Sequence, residues 1–343
     1  MTTNVDRRKV QRTGGSTYTV SLPKGWAVDN KITAGSVLTF YPEGNSIVVT
    51  TENEDERSEG SIKVSKMDNG EITRAIFSMY VSGFEMMKLE SDGITLEQRR
   101  AIRDATRQLV GVEIVEETSK YIKLQDLLDN SEMSIQGTVQ RMQSMVLSML
   151  SDSMAALRGN DFELAEDVIE RDNDVDRLWF VVSRAFRTAL MSPTKIKDLG
   201  MARLDCFDYH TCAEQLERIG DHAVKISYMK KEIQEIPEGL GGDLDRLYDL
   251  ANEIIVLSVE AMHIEDTNKG WGMANEARTR VVEMEGMMLG MVNSMIEFID
   301  SKTLSPIDAQ KIGLIADSIS RCADYGGNIA EIVLQKNSPR PEF

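Results

Sequence analysis

The chain has 343 residues, with 56 acidic against 39 basic side chains and a formal net charge of −17, which excludes a protein that coats nucleic acid over its whole surface and leaves only a local basic patch for that purpose. Its length supports two or three domains with sizeable cores, but no run of about 18 or more apolar residues occurs and the N-terminus lacks the charged-then-apolar layout of a signal peptide, so a soluble, cytoplasmic protein without membrane insertion is expected. Cys206, Cys212 and Cys322 are scattered and form no Cys-x-x-Cys pair, which indicates neither a disulfide framework nor a thiolate zinc site.

From Arg7 to Thr50 the apolar pattern has period two. Thr17 to Leu22 alternates polar and apolar until Pro23 stops the strand, a short helix or turn follows around Trp26 to Asn30, and Val37 to Tyr41 and Ser46 to Val49 flank the hairpin signal Pro42-Glu43-Gly44-Asn45. So small a set of strands buries little apolar surface alone and would fold well as half of a dimer. Within the first 31 residues Arg7, Arg8, Lys9, Arg12, Lys24 and Lys31 meet only Asp6 and Asp29, a local net of +4. Such an island can neutralise phosphates and, doubled in a dimer, makes binding salt-sensitive.

Residues 52 to 60 carry Glu52, Glu54, Asp55, Glu56 and Glu59 with no apolar residue and read as a solvated linker. Beyond it Ile72, Ala75, Ile76, Met79, Tyr80, Gly83 and Met87 fit one amphipathic helical stripe, and Thr95-Leu96-Glu97-Gln98 is a capping box for a second helix that should stop near Gly111. Val112 to Glu117 and Tyr121 to Leu128 read as strands, which completes a small α/β module of undisclosed chemistry. Six long helices follow, separated at Gly159-Asn160-Asp161, at Ser192-Pro193, at Gly239 to Gly242 between two halves, and at Ser305-Pro306. His210, His222 and His263 read as structural, and the helically spaced methionines as core filler.

Two of these helices hold carboxylates one turn apart. Asp172 and Asp176, and Glu217 and Asp221, each project from one helix face, so two antiparallel helices could aim four carboxylates at one point. Four converging acids must protonate, recruit arginines such as Arg171, Arg177 and Arg218, or bind a cation. The pattern recurs about a hundred residues later, where Phe162 to Ala165 meets Trp271 to Ala274, Asp176 meets Glu285, Arg218 meets Arg321, Asp221 meets Asp324 and Ile226 meets Ile329.

On the motifs Val168 to Asp176 and Glu214 to Asp221, residues 131 to 335 resemble the PhoU family of phosphate-signalling regulators, built from two three-helix-bundle repeats. The resemblance implies that Asp172, Asp176, Glu217 and Asp221 ligate a metal cluster, of iron, zinc, manganese or magnesium. The second copy departs from the pattern, with Val281 in place of Asp172 and Ser320 in place of Glu217, so Glu285 and Asp324 are expected to form a weaker or empty site. The Arg-Lys-Val opening, the Gly-Gly turn and the Ser-Leu-Pro-Lys-Gly-Trp corner resemble the AbrB-type swapped-hairpin DNA-binding domain, in the form that precedes PhoU repeats in archaeal proteins. That resemblance implies an intertwined homodimer contacting DNA through Arg7, Arg8, Lys9, Arg12 and Lys24. Gly14-Gly15-Ser16-Thr17 stands where many relatives carry an arginine after a single glycine.

The expected architecture is α+β and multidomain: an AbrB-like domain at 1–51, an α/β linker module at 61–130, and PhoU repeats at 131–238 and 239–337. The expected function is a phosphate-responsive, non-enzymatic transcriptional regulator of phosphate-transport promoters. Two other readings are open. One is an adaptor that contacts a phosphate-transporter ATPase or signalling kinase without binding DNA. The other is a carboxylate-bridged metalloenzyme, although the Glu-x-x-His pair of ferritin-like di-iron sites is missing here.

Overall fold

The computed structural model describes residues 6–43, 45–51, 58–128, 134–233 and 235–339, without the side chains of Glu43 and of residues 193–195. Most of the acidic linker (Glu52 to Glu56), Gly44 of the hairpin turn and the expected start of the first repeat at 131 lie outside the described residues. The chain divides into two compact units, 1–57 and 58–343.

The first unit holds two hairpins. β1 (Gln11–Thr13) pairs antiparallel with β2 (Thr17–Thr19) across a turn in which Gly14 and Gly15 take φ of 64° and 86°, a conformation that glycine adopts without steric cost. α1 (Lys24–Asp29) follows Pro23, and β3 (Leu38–Glu43) pairs antiparallel with β4 (Ser46–Thr51). The expected strand at Thr17 to Leu22 ends at Thr19, before the turn into α1. Among the described residues of this unit none is buried, and Tyr18, Val20, Val28, Phe40 and Ile47 are all exposed.

The second unit opens with the α/β module: β5 (Glu59–Lys63), α2 (Asn69–Val81), β6 (Met86–Glu90), α3 (Leu96–Arg107), β7 (Val112–Glu117) and β8 (Tyr121–Asp126), with sheet order β5-β6-β8-β7. β5 and β6 run parallel with α2 as the crossover, and the other pairings are antiparallel. Capping boxes start both helices, at Asp68/Glu71 and Thr95/Gln98. Ile72, Ile76 and Tyr80 of α2 and Ile102 of α3 bury against Met87, Leu89, Ile122 and Leu124 of the sheet.

Three expectations need correction. Met87 belongs to β6 and not to the helical stripe, because Gly83 at φ 90° ends the helix and the chain reverses into the sheet. Glu59 and Gly60 belong to β5 and not to a linker, since backbone pairing to Met86 and Met87 holds a segment that has little apolar content of its own. Gly239, Gly241 and Gly242 lie inside a helix that starts at Glu238, so the break between the halves falls before Pro237.

The bundle comprises α4 (Ile135–Gly159), α5 (Phe162–Met191), the short α6 (Pro193–Asp198), α7 (Arg203–Glu232), α8 (Glu238–His263), α9 (Thr267–Asp300) and α10 (Pro306–Lys336). Each break follows from local chemistry. Asn160 takes φ 53° to end α4, and Asp161 caps Leu164 N–H to open α5. Ser305 caps Asp308 N–H at 3.1 Å with Pro306 in the first turn of α10. The two halves share one core, in which α7 packs on α10 and Asn328 Nδ2 donates to Gln215 Oε1 at 3.0 Å. No helix among the described residues is long and apolar enough to cross a membrane.

The module is fixed to the bundle through α5. Arg184, 3% exposed, pairs with Asp126 at 2.8 Å, donates to the carbonyls of Tyr80 and Phe84, and lies 4.8 Å from the centre of the Tyr80 ring. Phe77 of α2 meets Phe180 of α5 with ring centroids 4.7 Å apart.

Candidate functional site

α5 and α7 run antiparallel, with Asp172 beside Gly220 and Lys231 paired to Glu166. This places Asp172 and Asp176 of α5 opposite Glu217 and Asp221 of α7, all four half-buried. A Cβ at Gly220 would lie 3.4 Å from Asp172 Oδ1 and 3.7 Å from Val146 and Val175, ordinary van der Waals separations that show how closely α7 packs beside the α5 acids. The sequence shows Gly220 within the motif but does not reveal this proximity.

The acids act on one another. Burial, then the fields of Asp176 and Asp221, push the Asp172 carboxyl up to about 7. Burial, then Asp221, Asp176 and Asp172, push Glu217 up to about 7, with Arg218 pulling weakly the other way. Asp176 is raised by burial and by Asp221.

The nearby arginines are engaged elsewhere. Arg171 reaches Asp152 at 2.6 Å and Asp167 at 2.9 Å, Arg177 pairs with Asp174 at 3.5 Å, and Arg218 binds Glu214 at 2.7 Å. His222 points toward α10, its ring 5.7 Å from that of Tyr325, and burial followed by Lys225 lowers it to about 4. Among the described residues no three or more His, Cys, Asp or Glu side chains close into a ligand shell. The donor set nevertheless fits a hard cation: all oxygen, half-buried and short of counter-charge.

The second copy differs in kind. Glu285 on α9 is exposed, while Asp324 on α10 is bonded by Arg321 at 3.4 Å. Burial raises Asp324, Arg321 opposes this, and Glu285 adds to it. A Cβ at Gly327 would strike Val281 at 2.8 Å and Arg278 at 2.9 Å, and Arg278 pairs with Glu331 at 3.0 Å. Two guanidinium groups therefore already supply positive charge around Asp324.

In the first unit Arg7, Arg8, Lys9, Arg12 and Lys24 are all exposed. Arg8 pairs with Asp6 at 2.5 Å, and Arg12 folds onto the glycine turn, its Nε donating to the Gly15 carbonyl at 2.7 Å. Lys24 lies at the start of α1, where its charge gains nothing from the helix dipole and faces solvent.

Residues 139–229 match the model of the PhoU domain, and residues 11–57 match that of the antidote-toxin recognition MazE family of bacterial antitoxins. Over 207 residues, 60% of this chain and 83% of the relative, the sequence is 30% identical to the phosphate-specific transport system accessory protein PhoU of Escherichia coli (strain K12). The chain belongs to the PhoU family. The Shigella flexneri protein of the same name matches to the same extent. The crystal structure of PhoU from Pseudomonas aeruginosa superposes with a TM-score of 0.52 at 18% identity, covering 60% of this chain and 96% of that one, a likeness of fold. Ahead of its PhoU match this chain also carries the unit that matches the MazE family, with the α/β module between the two.

Proposed function

We propose that this PhoU protein is a phosphate-responsive transcriptional regulator, cytoplasmic and not an enzyme, which binds DNA through its first unit as a homodimer and a metal ion through Asp172, Asp176, Glu217 and Asp221. The observation that carries the reading is the union in one chain of an exposed basic island at Arg7, Arg8, Lys9, Arg12 and Lys24 with a strongly acidic PhoU bundle. Dimerisation follows from the apolar surface of a unit with no buried residue among those described, which a second copy would cover.

A cation bound in the acidic cleft supplies positive charge that offsets four carboxylates and offers anionic oxygens, phosphate among them, a place to bind. The protein's own contribution is to hold the donors on two rigid helices. Asp176 lies eight residues from Arg184 on α5, about 12 Å along the axis, so the helix that lines the cleft also grips the α/β module joined to the DNA-binding unit. Occupancy of the cleft changes DNA affinity only to the extent that the ligand prefers the DNA-competent arrangement.

The test is binding of the full chain to fragments of phosphate-transport promoters against unrelated DNA, across a salt series, with metal content assayed on the same sample. A specific complex that weakens steeply with salt and is lost in the Arg7, Arg8, Arg12 triple alanine variant supports the regulator. A metal-loaded dimer that prefers no fragment supports instead an adaptor for a phosphate-transport system, as the name of the Escherichia coli relative, an accessory protein of phosphate-specific transport, suggests.

A further inference from the structure

The α/β module contributes no ligand-binding residue to the function proposed above, yet it holds a cavity of about 590 Å³, open to solvent, between α2 and α3. That volume suits a small organic molecule. Ala101 and Ala105 of α3, both buried, lie at its floor, so no bulky side chain fills it.

The groove carries charge of both signs and leaves it unpaired. α3 bears Arg99, Arg100, Arg103 and Arg107. Arg99 and Arg103 bind Glu117, and Arg107 pairs with Asp104 at 3.7 Å, whereas Arg100, which lines the groove, has no ion-pair or hydrogen-bond partner among the described residues. Arg74 on the α2 side is likewise unpartnered among them, and its guanidinium folds back over the first turn of α2, where a Cβ on Gly70 would lie 3.2 Å from Nη1. Acids are at hand: Glu97 and Asp104 line the same groove, three residues before Arg100 and four after it, without bonding to it. Two free guanidinium groups facing one groove, in a chain whose acids outnumber its bases by 56 to 39, suit an oxyanion from outside the chain.

We infer that the groove between α2 and α3 binds a small organic phosphate that bears hydroxyl or amino groups. A phosphoryl group has three terminal oxygens, enough for Arg74 and Arg100 to donate from both walls, whereas the two oxygens of a carboxylate are satisfied by one guanidinium. The organic body lies over Ala101 and Ala105, and its donors meet Glu97 and Asp104, which would repel a bare phosphate ion. The site is separate from both the acidic cleft and the basic island, and goes beyond the function proposed above. It also has a route to the bundle. About 15 Å along α2 from Gly70, Phe77 packs on Phe180 and the Tyr80 carbonyl accepts from Arg184, so an occupant of the groove bears on the helix through which the module meets α5.

Equilibrium dialysis of the full chain against radiolabelled glycerol 3-phosphate, glucose 6-phosphate and AMP tests it, with inorganic phosphate as the counter-probe. At least one of the three should bind, and should lose about tenfold or more in affinity in each of Arg74→Gln and Arg100→Gln. Binding of inorganic phosphate should be unchanged by these substitutions. The double variant Arg141→Gln, Arg187→Gln, which removes charge from exposed positions on α4 and α5, should bind the organic phosphate as the wild type does. So should Glu217→Gln, which separates this site from the acidic cleft. No binding of any of the three, binding indifferent to Arg74→Gln and Arg100→Gln, or an equal loss in the Arg141, Arg187 control would overturn the proposal. A loss for inorganic phosphate as large as that for the organic phosphates would overturn the assignment of an organic ligand.

Discussion

Asp172 and Glu217 carry the strongest local conflict in the molecule, since burial and mutual repulsion oppose their ionisation while the surrounding arginines are bound to other acids. Glu217→Gln should therefore have two opposite effects. It should lower metal affinity by tenfold or more, read by equilibrium dialysis with elemental analysis, and should raise the unfolding free energy of metal-stripped protein in urea by about 1 kcal/mol as a repulsive charge is lost. A drop in both would mark the residue as merely structural. The histidines respond to acid in a simpler way. His263, with Nδ1 3.4 Å from the Tyr209 hydroxyl, is held below its usual range by burial and then by Lys336. Above about pH 6.5 folded and unfolded chains are both neutral there. As pH falls through that value the unfolded chain takes up its proton first and stability is lost. Relative to His263→Asn, the wild-type protein should lose urea stability between pH 7.5 and 5. An unchanging gap would overturn this assignment.

At the scale of elements, one contact decides how the α/β module sits on the bundle. Arg184 and Asp126 are both nearly inaccessible, and removing either leaves the other charged and unpaired. Arg184→Met should cost about 3–5 kcal/mol in chemical denaturation, and the double variant Arg184→Met, Asp126→Leu should recover much of that loss, since an apolar pair needs no counter-charge. Gly83 belongs to the same contact. Its φ of 90° and the 2.7 Å approach of a Cβ to Thr188 mean that Gly83→Ala is expected to destabilise by about 1–3 kcal/mol, visible as a lower melting temperature.

For the whole molecule, a net charge of −17 opposes general association with DNA, so the proposed DNA binding rests on the local basic island of the first unit. If Arg7, Arg8 and Arg12 each neutralise a phosphate, their replacement by alanine should flatten the slope of log affinity against log salt by about 2.7 per protomer. Binding that weakens equally at every salt concentration would show that these side chains do not contact the backbone.

The sequence alone determined the features that rest on local chemistry. Capping at Thr95, Asp161 and Ser305, the left-handed turns at Gly14-Gly15 and Gly111, and the one-turn spacing of Asp172 with Asp176 and of Glu217 with Asp221 are written in neighbouring residues, so they could be read directly. The doubling of the helical unit was likewise legible, because paired positions keep their residue types. Tertiary structure decided what depends on distant partners. Met87 fits a helical stripe as well as a strand until Gly60 is seen pairing beside it, and β5 has no signal of its own because its stability comes from the sheet. Arg184, a cation inside a largely apolar run, becomes intelligible only with Asp126 beside it, 58 residues earlier in the chain. The differing fates of the two acidic copies had the same cause. The sequence showed which carboxylates were lost, but only packing showed Arg171, Arg177 and Arg218 paired with other acids in the first copy and Arg321 bonded to Asp324 itself in the second. Local sequence fixes backbone conformation within a few residues, whereas the neutralisation of charge depends on which helices meet.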